Sequence, residues 1–196
     1  RRGFSRWMVQ HILNKVDNIT VRDQESQHLL KEIGVQKDAR IVPDPVLGQG
    51  IRTFTKKEKR IAVSVRDWPS KVNYKEKIAK SLDWFAQQGY EILFVPMHGV
   101  LDEKASTDTA ALMKEKSESF HSNASIEEKI TCIGQSELLI GMRLHALVFA
   151  SLSFTPFIAL SYDPKIDAFA KMMEQPVVGH VEKRNWNEVT LQNTID

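Results

Sequence analysis

The chain is nearly devoid of cysteine. Cys132 stands alone among 196 residues, so neither an intrachain disulfide nor a cysteine-based zinc site can form. No excess of one charge exists either. Lysine and arginine total 27 against 25 aspartates and glutamates, a formal net charge of +2, which argues against a dedicated nucleic-acid binder with its clustered basic surplus. Long apolar runs are also missing: residues 152–161, among the longest, fall far short of the ~20 needed to span a bilayer. No signal peptide opens the sequence. There is no Gly-x-x-x-x-Gly-Lys-Ser/Thr loop, no Gly-x-Gly-x-x-Gly, no Gly-x-Ser-x-Gly and no histidine pair with helical metal-ligand spacing. With 42% hydrophobic and 27% charged residues, the composition excludes disorder, a collagen-like repeat and a disulfide scaffold.

What is present is an alternation of strand-like and helix-like segments, which predicts an α/β fold with a mainly parallel sheet. Phe4, Trp7, Met8, Ile12 and Leu13 recur at helical spacing from the very start, so the chain reads as a fragment of a longer protein. A strand is expected at 18–21, a helix at 23–33 with Leu29, Leu30 and Ile33 on one face and Gly34 as its stop, and a strand at 39–42 closed by Pro43-Asp44-Pro45. Residues 46–60, with Gly48, Gly50 and a basic run, read as a solvated connector and a domain boundary. Beyond it strands are expected at 61–65, 91–95, 138–140 and 157–160. An amphipathic helix carries Tyr74, Ile78, Leu82, Phe85 and Ala86 up to Gly89, and Trp84 reads as packing. A polar helix is expected at 106–116, and Ser125 with Glu128 has capping-box spacing ahead of Ile126, Ile130 and Ile133. A further helix covers 143–152, and Asp163-Pro164 starts another with Ile166, Phe169 and Met172 on its buried face.

Ligands of open parallel sheets bind beyond the carboxyl ends of the strands, where helix N-termini point. Arg22, Arg66, His98, Arg143, His145 and Tyr162 all follow predicted strand ends. Arginine there suits a carboxylate or phosphate, because its planar fork offers paired charge-assisted donors. The sharpest segment is Gly141 to His145: glycine for close backbone approach or a positive φ, Arg143 for an anion, and His145 for proton transfer near neutral pH. The bland alternative pairs Arg143 with a core carboxylate and buries His145. Arg22 and Arg66 each precede an aspartate, so a salt bridge or cap competes with function there. Cys132, on the buried side of a helix, is a poor nucleophile.

The run Ser136-Glu137-Leu138-Leu139-Ile140-Gly141-Met142-Arg143-Leu144-His145-Ala146, followed by Ser161-Tyr162-Asp163-Pro164-Lys165-Ile166-Asp167, resembles the polysaccharide pyruvyl transferase family, in its CsaB type from bacterial cell-wall polymers. Val21-Arg22-Asp23-Gln24-Glu25-Ser26, Gly34-Val35, Asp44-Pro45 and Ser64-Val65-Arg66 match the family in order, so the resemblance spans essentially the whole chain. It implies a GT-B-like fold of two Rossmann-like domains. Residues 1–45 would then be the incomplete C-terminal end of the first, 46–60 a linker, and 61–196 the C-terminal Rossmann-like domain.

The resemblance also implies transfer of a pyruvyl group from phosphoenolpyruvate to a polysaccharide sugar, N-acetylmannosamine in the CsaB type, as a ketal on polymers that anchor surface-layer proteins. It places Arg143, Leu144, His145 and Arg22 at phosphoenolpyruvate. His145 and Arg143 are expected to be catalytic; Arg22, Leu144 and, on strand-end position, Arg66 are expected to bind substrate. No metal and no cofactor beyond the donor substrate is expected. The partners implied are phosphoenolpyruvate and a lipid-linked or polymeric acceptor, with no nucleic acid and no transmembrane segment. The location implied is cytoplasmic, with scope for peripheral association at the inner membrane face. A chain this short is expected to be inactive alone. The alternatives are a GT-B nucleotide-sugar glycosyltransferase or epimerase, for which Glu137 is a poor ribose ligand because it precedes its strand, and a non-catalytic sugar- or phosphate-binding module.

Overall fold

The structure is a computed structural model that describes residues 2–42, 46, 48, 50–57, 59–184 and 186–194. The expected turn at Pro43-Asp44-Pro45 lies outside the described residues. The chain divides into two compact units, Arg1–Gly50 and Ile51–Asp196.

In the first unit, α1 (Arg2–Leu13), β1 (Ile19–Val21), α2 (Gln24–Glu32) and β2 (Ala39–Ile41) follow one another. The two strands pair in parallel, Ile19 opposite Ala39. Ile19, Val35 and Ala39 form a small core with Leu13, Val16, Val21, Leu30 and Ile33 packed against it. Asp23 caps α2 by accepting the N–H of Ser26. The helix stops where Gly34 takes φ +85, letting the Val35 N–H reach back to the Leu30 carbonyl, a closure that favours glycine. Leu29 departs from expectation: it is exposed, and α2 buries no residue fully. The apolar face of α1 is likewise open, with Phe4, Trp7, Met8 and Ile12 all exposed.

The second unit is one six-stranded parallel sheet flanked by helices, a Rossmann-like α/β architecture. Its strands are β3 (Arg60–Ser64), β4 (Glu91–Phe94), β5 (Glu118–Ser119), β6 (Leu138–Gly141), β7 (Phe157–Ser161) and β8 (Val177–His180); its helices are α3 (Tyr74–Gln87), α4 (Gly99–Ala110), α5 (Ile126–Gly134), α6 (Leu144–Leu152), α7 (Pro164–Met172) and α8 (Glu188–Gln192). The strand order is β5-β4-β3-β6-β7-β8. The chain therefore steps outward from β3 in one direction, then returns to β3's other side with β6 and steps outward in the other. Ile61, Ala62, Val63, Leu139 and Ile140 on the two middle strands are wholly buried, as strands covered on both faces require.

Several sequence expectations need correction. The polar helix begins at Gly99 and ends at Ala110 rather than spanning 106–116. Its polarity is inverted: Asp102, Ser106 and Thr109 are buried, while Val100 and Leu101 are exposed, so no apolar stripe marks it. The Thr109 hydroxyl donates to the Ala105 carbonyl within the helix. Trp84 and Met172, assigned to packing, are 39% and 56% exposed. β5, β8 and α8 fall outside the expected elements, and β5 and α8 are too short to leave a repeating pattern. The connector is not simply solvated either. The Arg52 N–H bonds Leu152, the Lys57 N–H bonds Gln135, and the Lys56 ammonium donates to the carbonyl of Gly134 and the hydroxyl of Thr155. A cation at the carboxyl ends of α5 and α6 complements both helix dipoles, and burial lowers its pKa.

The segment after β8 is tied down by Trp186, which is buried and donates its indole N–H to the His180 carbonyl. A Cβ at Gly179 would lie 2.4 Å from the Trp186 ring. Gly179→Ala is expected to destabilise the protein by about 2 kcal/mol through overpacking, read as a lower denaturant midpoint at unchanged slope.

Candidate active site

All six strands of the second unit run parallel, so their carboxyl ends share one rim. The reversal between β3 and β6 is the topological switch point, where two loops diverge and leave a crevice. Ser64 and Gly141 are paired across that ladder, and Arg66 and Arg143 each follow two residues later. Gly141 is one of the positions read from sequence, and close approach rather than a positive φ explains it: a Cβ there would sit 2.7 Å from Leu147.

The two arginines lean in opposite directions. Arg143 reaches back past β3 to Asp102 on α4, donating from Nε at 2.9 Å and also from Nη2. The Asp102 side chain is 1% exposed. It further accepts the N–H groups of Met97 at 3.1 Å and His98 at 2.9 Å, so this carboxylate is saturated with donors and ties α4 to the β6–α6 junction. Arg66 leans the other way. Its Nη1 donates to the Tyr162 hydroxyl at 2.9 Å, and its guanidinium centre lies 4.6 Å from the Tyr162 ring and 5.2 Å from that of Trp68. Below it the Tyr74 hydroxyl donates to the Arg66 carbonyl and accepts the Trp68 N–H; burial raises the pKa of that phenol. The Trp68 indole donates to Glu182 at 2.8 Å.

Arg143 is the N-cap of α6 and supplies no side-chain acceptor to the helix. The first-turn amides of Leu144 and His145 are therefore left without a side-chain cap, and such amides attract an anion. α3, α5, α7 and α8 do carry side-chain caps, from Asn73, Ser125, Asp163 and Asn187. Leu144 is half-buried and His145 exposed, with its ring 6.5 Å from that of Phe149. Of the sequence-selected residues, then, Arg66, Arg143, Leu144, His145 and Tyr162 lie on one rim of one unit. His98 stands at the start of α4, its backbone bound to Asp102 and its side chain exposed.

Arg22 belongs to the first unit, at the end of β1, where it contacts Asp23 at 3.3 Å. Burial tends to raise the Asp23 pKa, but the hydrogen bonds from Ser26 and the Arg22 guanidinium outweigh it and hold the carboxyl below its ordinary value. Other features are less suited to chemistry. A cavity of about 480 Å³ is lined by Arg60, Thr131, Cys132 and Gln135 among others. Burial pushes the Cys132 thiol up to about 11, too high for a nucleophile near neutral pH. Glu137 accepts the Lys59 N–H and precedes β6, away from the rim. Among the described residues, no three His, Cys, Asp or Glu side chains gather to hold a metal ion, and no helix is long and apolar enough to cross a membrane.

The sequence profile of polysaccharide pyruvyl transferases matches residues 1–164. The chain belongs to the polysaccharide pyruvyl transferase family. Comparison with curated proteins returned no match. The pyruvyl transferase match takes in both units and includes Arg22, Arg66, Arg143 and His145. Asp102, Trp68 and Glu182 were missed from sequence. For Asp102 the one available signal was its spacing from His98, a carboxylate able to reach back to the start of its own helix.

Removing one partner of a buried ion pair leaves the other uncompensated. Asp102→Ala should therefore destabilise the protein by about 3 kcal/mol, measured by urea unfolding. Asp23→Ala should cost about 1 kcal/mol at pH 7 through loss of the helix cap. Because the folded-state pKa of Asp23 is depressed, its contribution is present above the unfolded carboxyl's value and is lost as pH falls through the folded one. The gap between wild type and Asp23→Ala should shrink on acidification below about pH 4, as followed in unfolding curves.

Proposed function

We propose that this protein transfers a pyruvyl group from phosphoenolpyruvate to a sugar of a bacterial cell-wall polysaccharide, forming a ketal across two hydroxyls. The observation that carries the reading is the switch point itself. Arg66 and Arg143 flank it, and the uncapped first turn of α6 opens beside them with His145 exposed. Phosphoenolpyruvate bears a phosphate and a carboxylate, and this arrangement supplies donors for both.

The transfer balances without redox chemistry. A proton adds to the enol methylene, a sugar hydroxyl bonds to the adjacent carbon and loses its proton, and phosphate leaves with the C–O electron pair. The second hydroxyl then bonds to the same carbon and loses its proton. Of the two hydroxyl protons, one equals the proton gained by the methyl carbon and the other the proton carried off by phosphate. His145 is the acid/base group, an exposed imidazole at the start of α6 whose ring nitrogens can both donate and accept a proton. Within the second unit Arg143 holds an anionic group, Leu144 contributes its helix-start amide, and Arg66 binds phosphate or acceptor. No metal or further cofactor enters this scheme. N-acetylmannosamine on a lipid-linked or polymeric carrier is the acceptor, presented at the cytoplasmic face of the membrane.

Phosphate release from phosphoenolpyruvate with a lipid-linked N-acetylmannosamine acceptor tests the reading. Turnover is expected from the full-length protein, and its absence under conditions that support a family relative would sink it. His145→Ala should lower kcat by about a thousandfold while phosphoenolpyruvate still binds. Arg143→Ala should lose binding. Unchanged turnover in the histidine variant would remove His145 from the catalytic role.

A further inference from the structure

The two arginines at the switch point differ in what surrounds their charge. Arg143 faces a carboxylate that is 1% exposed and bonded to two of its guanidinium nitrogens. The pair is close to neutral as seen from the rim, and what remains of Arg143 for a ligand is directional N–H. Arg66 forms no ion pair among the described residues. The carboxylate next to it in sequence, Asp67, is bound to Lys75 instead. Arg66 is seated on Tyr162 and Trp68, contacts that fix a guanidinium without cancelling its charge.

We propose that Asp102 is a positioning residue that turns Arg143 into an aimed, charge-compensated donor, and that Arg66, clamped by Tyr162 and Trp68, supplies the uncompensated positive charge for the anionic substrate. The proposal rests on the pyruvyl transfer reading for the identity of the anion. It reverses the emphasis that sequence spacing gives, in which Arg143 leads and a salt bridge or cap competes with function at Arg66. It also assigns different work to each group: long-range attraction to Arg66, orientation to Arg143 through Asp102. Trp68, itself held by Glu182, completes the seat.

Calorimetric titration of the full-length protein with phosphoenolpyruvate and with inorganic phosphate, at low and high salt, tests this. Asp102→Asn keeps the shape and one of the two acceptor oxygens, enough for the Met97 and His98 N–H groups, while it removes the negative charge and the second acceptor that holds Arg143, so both anions should bind about fivefold tighter. Its kcat should fall without a rise in KM, because Arg143 is no longer held. Arg66→Gln should weaken both anions by about tenfold and flatten the salt dependence. Weaker anion binding by a folded Asp102→Asn, or an unchanged salt dependence in Arg66→Gln, overturns the proposal, as does wild type that binds neither anion. If the Asp102 variant does not fold, Arg66→Gln decides alone. Wild type that binds both anions but shows no turnover overturns the reaction and leaves the division of charge to be read from the binding arms.

Discussion

The β3–β6 ladder is the constraint on which the second unit depends. Parallel strands cannot be joined by a tight turn, so each needs a helical crossover that returns the chain to the same edge. Every crossover therefore delivers its strand end and helix start to one rim. At β3 and β6 the crossovers diverge to opposite sides, and the crevice between them cannot be closed by backbone. The side chains beside it, Arg66 and Arg143, extend over neighbouring strands to reach partners on α4 and beyond β7. The buried Asp102 carboxylate is tolerable only because four donor groups converge on it, since an unpaired charge at that depth would be far too costly.

Much of this fold was legible in the residues. The apolar runs at 61–65 and 138–140 mark strands buried on both faces, and the capping box at Ser125 and Glu128 forms as its spacing indicates. The failures have a common cause. Periodicity reports which face is apolar, and it misleads when the face turned inward is polar or the element is too short to repeat. α4 is the first case, with Asp102, Ser106 and Thr109 inside; β5 and α8 are the second. Met172 and Trp84 show the converse, apolar residues at the right spacing that sit on the margin of a buried stripe and remain in contact with water.

The rim was easier to read than the partnerships across it. Strand ends can be located from local pattern, which brings Arg66, Arg143 and His145 into view. Who neutralises whom depends on contacts between residues far apart in sequence, as with Arg143 and Asp102 or Trp68 and Glu182. The bland reading of Arg143, a core carboxylate as partner, and the functional one turn out to be compatible. A guanidinium engaged through Nε and Nη2 still has an edge to offer, and it is held still while offering it. The basic run at 56–60 shows the same limit from the other side. Nothing local says that Lys56 will bind the end of α5 and a threonine beyond α6 rather than water.

The inverted helix α4 has a consequence for how this protein can vary. On most surface helices a polar position is the permissive one and an apolar position the guarded one. Here Val100 and Leu101 face outward, so drift at those sites changes little inside the molecule. Asp102 and Thr109 hold positions where each available replacement must match both size and hydrogen-bonding capacity, and Ser106 one where it must match size. Sequence change along this helix would therefore be read inside out at these positions: Val100 and Leu101 are free to wander, and Asp102 is an anchor of the rim.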